Sequence, residues 1–353
     1  MSKVARKTNC DRVARRNGLR MIPFLVPMIL MAAPLSQAAF LSQPSLRWSI
    51  NLAGERSVRQ GNAVVVSRDG SRVFVTAQDG SLHILQVRAL SRSLVFEPSN
   101  ASSSSSGSTT SCSSGVALYE TSQGVQFAAY AVTDTAASSG IQSSRVLAVN
   151  ASSGEELWTV TVDGAVAGTP WINADGSRIY VTHNEPPSSQ TTSSAYTGST
   201  VGSISVIGSG QLITTLQSPD NVTSLGPFTP VTGTTVSLGG TLMDVVALAE
   251  TRDPSTRVAS TVGGVYVLMQ QQSTGNPYQL RLVSNATHTA SAAPALSSLG
   301  TSLYVGQDQA TVTGWDKTND ITAVLFAGRQ DVPPRWNVTV GSSASAGAYK
   351  SFV

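Results

Sequence analysis

The sequence predicts an all-β protein assembled from a repeated unit, and three observations carry that expectation. Apolar residues come in short or alternating runs, such as VALYE at 116–120, SISVI at 203–207, VYVLM at 265–269 and SLYVG at 302–306, which have the length and period of strands. Hydrophobic residues make up 41% of the 353-residue chain but charged ones only 12%, about half the usual share. Gly, Ser and Thr fill the gap, as many tight turns require. Finally, VSRDGSRVFVT at 66–76 returns as INADGSRIYVT at 172–182, an offset of 106 with six of eleven residues identical. Beyond the N-terminal segment, no stretch keeps an apolar face at helical period over three turns.

The formal charge of +3 sits at the front of the chain. Residues 1–39 carry Lys3, Arg6, Lys7, Arg12, Arg15, Arg16 and Arg20 against Asp11 alone, a net of +6, so residues 40–353 are left at −3. A mildly acidic body without a basic stripe offers no footprint for phosphate backbones, and nucleic acid is not an expected partner. The basic segment ends at Arg20, an apolar stretch runs over 21–33, and Ser36-Gln37-Ala38-Ala39 supplies an A-x-A-like cleavage site. This order defines a signal or targeting leader over 1–39. If the leader stayed uncleaved it would be a membrane anchor, although Pro23, Pro27 and Pro34 interrupt it. In either case the body is expected in the secretory pathway, outside the cell or in an organelle lumen. Phe40 directly after Ala38-Ala39 also resembles the bipartite presequences of proteins imported into complex algal plastids, which would imply a plastid destination.

A translocated body can be glycosylated, and N-x-S/T sequons stand at Asn100, Asn150, Asn221, Asn285 and Asn337. Of two cysteines, Cys10 falls in the leader, so Cys112 has no partner for an internal disulfide. It lies in a Ser-rich stretch expected to be a loop.

Within the repeats, Asp69-Gly70 and Asp175-Gly176 sit between apolar runs. Gly tolerates positive φ and Asp bonds nearby amides, so each pair is expected to turn a β-hairpin. A looser copy is LSSLGTSLYVG at 296–306, with Gly300 at the turn. A second shared unit is VLAVNASSGEELWTVTV at 146–162, a strand, a turn at Gly154 and a strand led by Trp158. Its Ala148, Gly154 and Trp158 resemble the A-x-D-x-x-x-G-x-x-x-W pattern of pyrroloquinoline-quinone (PQQ)-like repeats, the quinoprotein alcohol dehydrogenase-like family, with Asn150 in place of the Asp. Degenerate counterparts are TGWDKTND at 313–320, RWSINL with Trp48, and RWNVTV with Trp336.

The resemblance covers most of 46–340 and implies a β-propeller in which each Trp docks between neighbouring blades. About five four-stranded blades follow, over roughly 61–98, 115–162, 163–217, 221–283 and 288–340, in one domain spanning 40–353. Two Ser-rich insertions, 99–114 and 186–200, are expected to be disordered loops. RWSINL at 47–52 and AYKSFV at 348–353 together supply only half a sixth blade. The ring is therefore expected to be incomplete or open, with edges that invite a partner strand.

Catalytic chemistry finds little support. PQQ-dependent dehydrogenases of the resembled family use a calcium or lanthanide ion held by acidic and amide ligands, an Asp base and a vicinal Cys-Cys disulfide. This chain has no adjacent cysteines and too few blades. Glu155, Glu156, Asp316, Asp320 and Asp331 fall in separate turns. His83, His183 and His288 lack metal-ligand spacing, there is no G-x-S-x-G elbow, and Gly239-Gly240 and Gly263-Gly264 precede strands rather than helices. No catalytic, cofactor-binding or metal-binding residue is expected. The remaining reading is a non-enzymatic propeller that binds or scaffolds an unidentified protein partner, as some members of the family do; a degenerate PQQ- and calcium-dependent quinoprotein or a carbohydrate-acting propeller is the alternative.

Overall fold

The computed structural model describes residues 64–88, 91–98, 109–112, 114–136, 142–185, 201–217, 228–238, 240–250, 263–271, 278–286, 293–307, 311–315 and 336–339. These form five consecutive antiparallel sheets. The first is a meander of β1 (Val65–Val66), β2 (Arg72–Thr76), β3 (Leu82–Gln86) and β4 (Ser91–Phe96). The second holds β5 (Thr109–Cys112), β6 (Ala117–Thr121), β7 (Gly124–Thr135), β8 (Gln142–Asn150) and β9 (Glu156–Asp163). The third holds β10 (Ala165–Val166), β11 (Trp171–Ile172), β12 (Arg178–Glu185), β13 (Val201–Gly208) and β14 (Gln211–Gln217). The fourth is β15 (Thr232–Leu238), β16 (Thr241–Ala249), β17 (Gly263–Gln271) and β18 (Gln279–Ala286), and the fifth β19 (Ala295–Leu296), β20 (Leu303–Gln307), β21 (Thr311–Trp315) and β22 (Trp336–Thr339). Among the described residues no helix is long and apolar enough to cross a membrane.

Period-two alternation explains how the sheets stack. In β7, Ala128, Tyr130 and Val132 face the first sheet, whereas Ala129 and Ala131 face the third. In β16, Val246 and Leu248 pack toward the third sheet and Val245, Ala247 and Ala249 toward the fifth. Both faces of these strands are buried, so they read as continuous apolar runs rather than alternating ones. Four apolar clusters join first to second, second to third, third to fourth and fourth to fifth sheets. Inner strands also meet: β11 contacts β6 and β15, and β15 contacts β19. Serial stacking of four-stranded meanders on one another through their faces is β-propeller architecture. Among the described residues no cluster returns from the fifth sheet to the first, so these strands do not close a ring.

The repeats explain the local turns. Ser67 N donates to Arg72 O at 2.9 Å and Gly70 N to Ser67 O at 2.8 Å, with Gly70 at φ +67°. The same pair of bonds closes Asn173–Arg178 around Gly176 and Ser297–Ser302 around Gly300, so all three expected hairpins form. A fourth turn at Asp79-Gly80-Ser81, between β2 and β3, is built similarly but is one residue shorter, with Ala77 N donating to Ser81 O at 2.8 Å and Gly80 N to Ala77 O at 3.0 Å; its Asp-Gly-Ser tripeptide was the available signal. The second repeated unit also folds as a strand, turn and strand. Asn150 Oδ1 accepts from Ser152 N at 2.8 Å and Ser153 N at 3.0 Å, so the amide caps the turn that an Asp would. Trp158 packs into the cluster between the second and third sheets, its ring lying over Gly210 of the β13–β14 turn.

One expectation needs correction. The Ser-rich segment 99–114 is not a loop throughout, because Thr109–Cys112 forms β5 and pairs with Val132–Thr135 of β7. Cys112 is fully buried there, its thiol within 3.3 Å of Ser114 O. Edge pairing to a long neighbour satisfies the backbone, so a polar tetrapeptide suffices. The inner strand of the second sheet is thereby split into β5 and β6, and that of the third into β10 and β11, giving these two blades five strands where four were expected. The insertion at 186–200 lies outside the described residues, as do Trp48, Asn100, Asn221, His288, Asp316, Asp320, Asp331 and the terminal half-blade segments.

Candidate functional site

The inner strands of the first three sheets converge at the rim that carries the repeated hairpin turns. There they enclose an open cleft of about 480 Å³. Val65 and Val66 of β1, Leu118, Tyr119 and Glu120 of β6, and Ile172 of β11 with Asn173 and Ala174 form its walls, and Arg68 stands at its edge. The strands at this site are two to five residues long, and the turns hold them in place. Val64 and Val66 are left 55% and 54% exposed.

Turns and strands are cross-linked between blades. Arg68 N donates to both oxygens of Glu120, at 3.0 and 3.1 Å. Ala174 N donates to Thr235 Oγ1 at 3.2 Å, and Thr234 Oγ1 donates to Ser298 O at 2.8 Å, extending the ties to the fourth and fifth sheets. Tyr119 lies against Gly176 so closely that an added Cβ would sit 2.7 Å from its ring, and Trp171 covers Gly233 in the same way at 2.5 Å.

Beneath the cleft is a buried polar cluster. Asp244 is fully buried in β16 and accepts from Tyr180 Oη at 2.8 Å, Asn173 Nδ2 at 3.1 Å and Thr235 Oγ1 at 3.0 Å, with the Arg178 guanidinium 3.6 Å away. Burial, and then the Asp244 charge, push the Tyr180 phenol far above its ordinary range, so it stays a donor. Asn173 thus links the cleft wall to the fourth blade. In the turns, hydroxyl and amide donors from Ser67 and Ser71 hold the Asp69 carboxylate down at about 2. Partial burial opposes the same effect at Asp175, but the Ser177 hydroxyl and amide outweigh it and its pKa is lowered.

Elsewhere, Glu250 is buried at the end of β16 and accepts from Gly264 N and Tyr266 Oη, both at 2.9 Å; burial raises its pKa from 4.5 to about 7. His183 Nε2 lies 2.8 Å from Ser205 Oγ and its Nδ1 2.6 Å from Asp163 O, whereas His83 Nε2 is 3.1 Å from Ser81 Oγ. Sequence reasoning missed Asp244 and Glu250, since an isolated carboxylate in an apolar run carries no spacing signal. The repeat residues Asp69, Gly70, Asp175 and Gly176 flank the cleft as turn formers, while Gly154 and Trp158 lie at the outer strands. Asn285 falls in β18 and Asn337 and Trp336 in β22.

Asp244, Glu250 and Asp134 are occupied by internal donors, the last by Arg145 Nε at 2.7 Å. Among the described residues no group of three or more His, Cys, Asp or Glu side chains is placed to hold a metal.

The fold therefore defines a β-propeller-type protein with an inner-strand cleft. No protein-family model matches the sequence and no curated sequence is significantly similar to it, so the PQQ-like resemblance rests on the repeats alone. Among solved structures the chain is similar to the Dos1 propeller, with TM-score 0.44, 12% identity, and 81% of this chain against 59% of that one. It is also similar to Sqt1 from Chaetomium thermophilum, with TM-score 0.46, 12% identity and coverage of 79% and 57%. A third similarity is to U3-55K, with TM-score 0.42, 15% identity and coverage of 76% and 63%. The chain spans less than two thirds of the length of each of these three.

Proposed function

We propose that this chain is a non-enzymatic propeller module, kin to the PQQ-like repeats, that takes an extended apolar segment of a protein partner into its inner-strand cleft. The observation carrying this is the cleft wall: short strand β1 holds Val66 54% exposed on a frame whose blades are tied together around it. Rigid presentation of apolar side chains is what a recognition site needs, because little ordering entropy is lost on binding. The body acts after translocation, with the leader removed near Ala39 or Phe40, and uses neither PQQ nor calcium. N-terminal sequencing that recovered residues 2–20 from purified protein would contradict processing.

Binding is tested by a photo-crosslinking residue at Val66, with a second at Leu157, 49% exposed on the outer strand of the second sheet. A discrete adduct from position 66 alone, lost when Ile172 is changed to Asp, is the expected result. Identical adducts from both positions, or none from 66, would remove the cleft as the binding site.

A further inference from the structure

We propose that the outer edge of the third blade, strand β14, pairs antiparallel with β14 of a second copy of this chain across a two-fold axis through Thr214. β14 is the last strand of its sheet, and among the described residues nothing pairs with its outer edge. Natural proteins guard such edges with charge, proline, brevity or bulges, and of these β14 keeps only the bulge, at Ile213. The neighbouring blades add charge at an equivalent register position. In the first three sheets the outer strand carries a bulge at the same place, and the residue before it is Arg92 in β4, Glu156 in β9 and Leu212 in β14. The charge present in two blades is absent from the third.

The seven residues of β14, QLITTLQ, contain no charge, proline or glycine. Of the other outer strands, β4, β9 and β18 each carry charge, and β22 has only four residues. Leu212 and Ile213 are 46% and 49% exposed, with Ile213 laid over the backbone of Gly208. The sequence also reads nearly the same in both directions about its centre. Antiparallel pairing of two copies puts Gln211 opposite Gln217, Leu212 opposite Leu216, Ile213 opposite Thr215, and Thr214 opposite itself. Like faces like across the axis, as an isologous interface demands, and each strand completes the other's hydrogen-bonding edge. A heterologous partner strand would have no need of this symmetry.

The test is a cysteine placed on the axis. In the purified chain with Cys10→Ser, Thr214→Cys brings two Cα atoms to about 4.5–5.5 Å in the dimer, inside disulfide range. Gln211→Cys leaves its two copies about 20 Å apart at the usual rise per residue. Mild oxidation is expected to give a disulfide-linked dimer with the first variant and not the second. Sedimentation equilibrium is expected to show a reversible dimer that Ile213→Lys weakens at least tenfold. The matching change at the β9 bulge, Leu157→Lys, should leave it unchanged. Cross-linking by both cysteine variants or by neither, a monomer at every concentration up to about 100 μM, or equal loss from both lysine variants would overturn the proposal.

Discussion

Two glycines in identical turns separate backbone freedom from packing. Gly70 and Gly176 occupy the same repeat position, at φ +67° and +73°. An added Cβ at Gly70 meets nothing within 4 Å, whereas at Gly176 it would lie 2.7 Å from the Tyr119 ring of the neighbouring blade. Gly70→Ala should therefore cost about 1–2 kcal/mol for the left-handed conformation alone. Gly176→Ala should cost more, and Tyr119→Ala should reduce that excess; urea titration of the single and double variants measures both. At Glu250, burial raises the folded-state pKa from 4.5 to about 7. The unfolded carboxyl ionises first as pH rises, so the folded state binds more protons between these values and this group's contribution falls across pH 4.5–7. The loss is on the order of 3 kcal/mol at 1.36 kcal/mol per pK unit. Glu250→Gln keeps an oxygen to accept from Gly264 N and places an amide donor against Tyr266 Oη in place of the second oxygen, removes the titration, and should flatten stability across that window. An unchanged pH slope would show that Glu250 is not its source.

At the scale of elements, the matched segments 66–76 and 172–182 explain both what was legible and what was not. Their Asp-Gly pairs announced hairpins through turn chemistry, and alternating apolar runs announced strands. The shared terminal Thr carried a signal that only the fold makes readable. Thr76 Oγ1 donates to Ser114 O at 3.1 Å and Thr182 Oγ1 to Thr229 O at 2.7 Å. Thr76 thereby fastens the first blade to the break between β5 and β6, and Thr182 fastens the third blade to the segment leading into β15. Thr182→Val keeps the shape and removes the donor, so it should destabilise by about 1–3 kcal/mol through the unsatisfied carbonyl. Thr182→Ser should recover most of the loss; equal stability of the Val variant and the parent, by chemical denaturation, would deny the bond this role. Of the two-residue strands, β1, β11 and β19 were readable only as first arms of the repeated hairpins, whereas β10 was illegible for a related reason: its neighbour holds it, and no local pattern marks it. β5 was hidden by composition, because Ser and Thr signal loop until a long partner strand is known to lie alongside.

At the scale of the whole molecule, blade boundaries were readable because each blade must bury two faces and therefore repeats its apolar runs. Chemistry was not readable from the repeats, which report architecture rather than activity. The expectation that this chain uses neither calcium nor PQQ is supported by how three buried or part-buried carboxylates are used. A calcium ion at a quinone needs several oxygen ligands free to converge on it. Here Asp244 faces two hydroxyls, an amide and a guanidinium, Glu250 faces an amide and a phenol, and Asp134 faces Arg145. Each would have to break internal bonds before it could ligate, and the groups left behind would be buried without partners at about 1–3 kcal/mol each. A tightly bound ligand raises stability by RT ln(1 + [L]/Kd), about 4 kcal/mol at a thousandfold excess over Kd. Millimolar calcium with micromolar PQQ is therefore expected to leave the melting temperature within a degree of the apo value, with no dye-linked oxidation of alcohols or aldoses. A rise of several degrees, or turnover, that a chelator abolishes would place a metal centre in this chain and displace the binding-module reading.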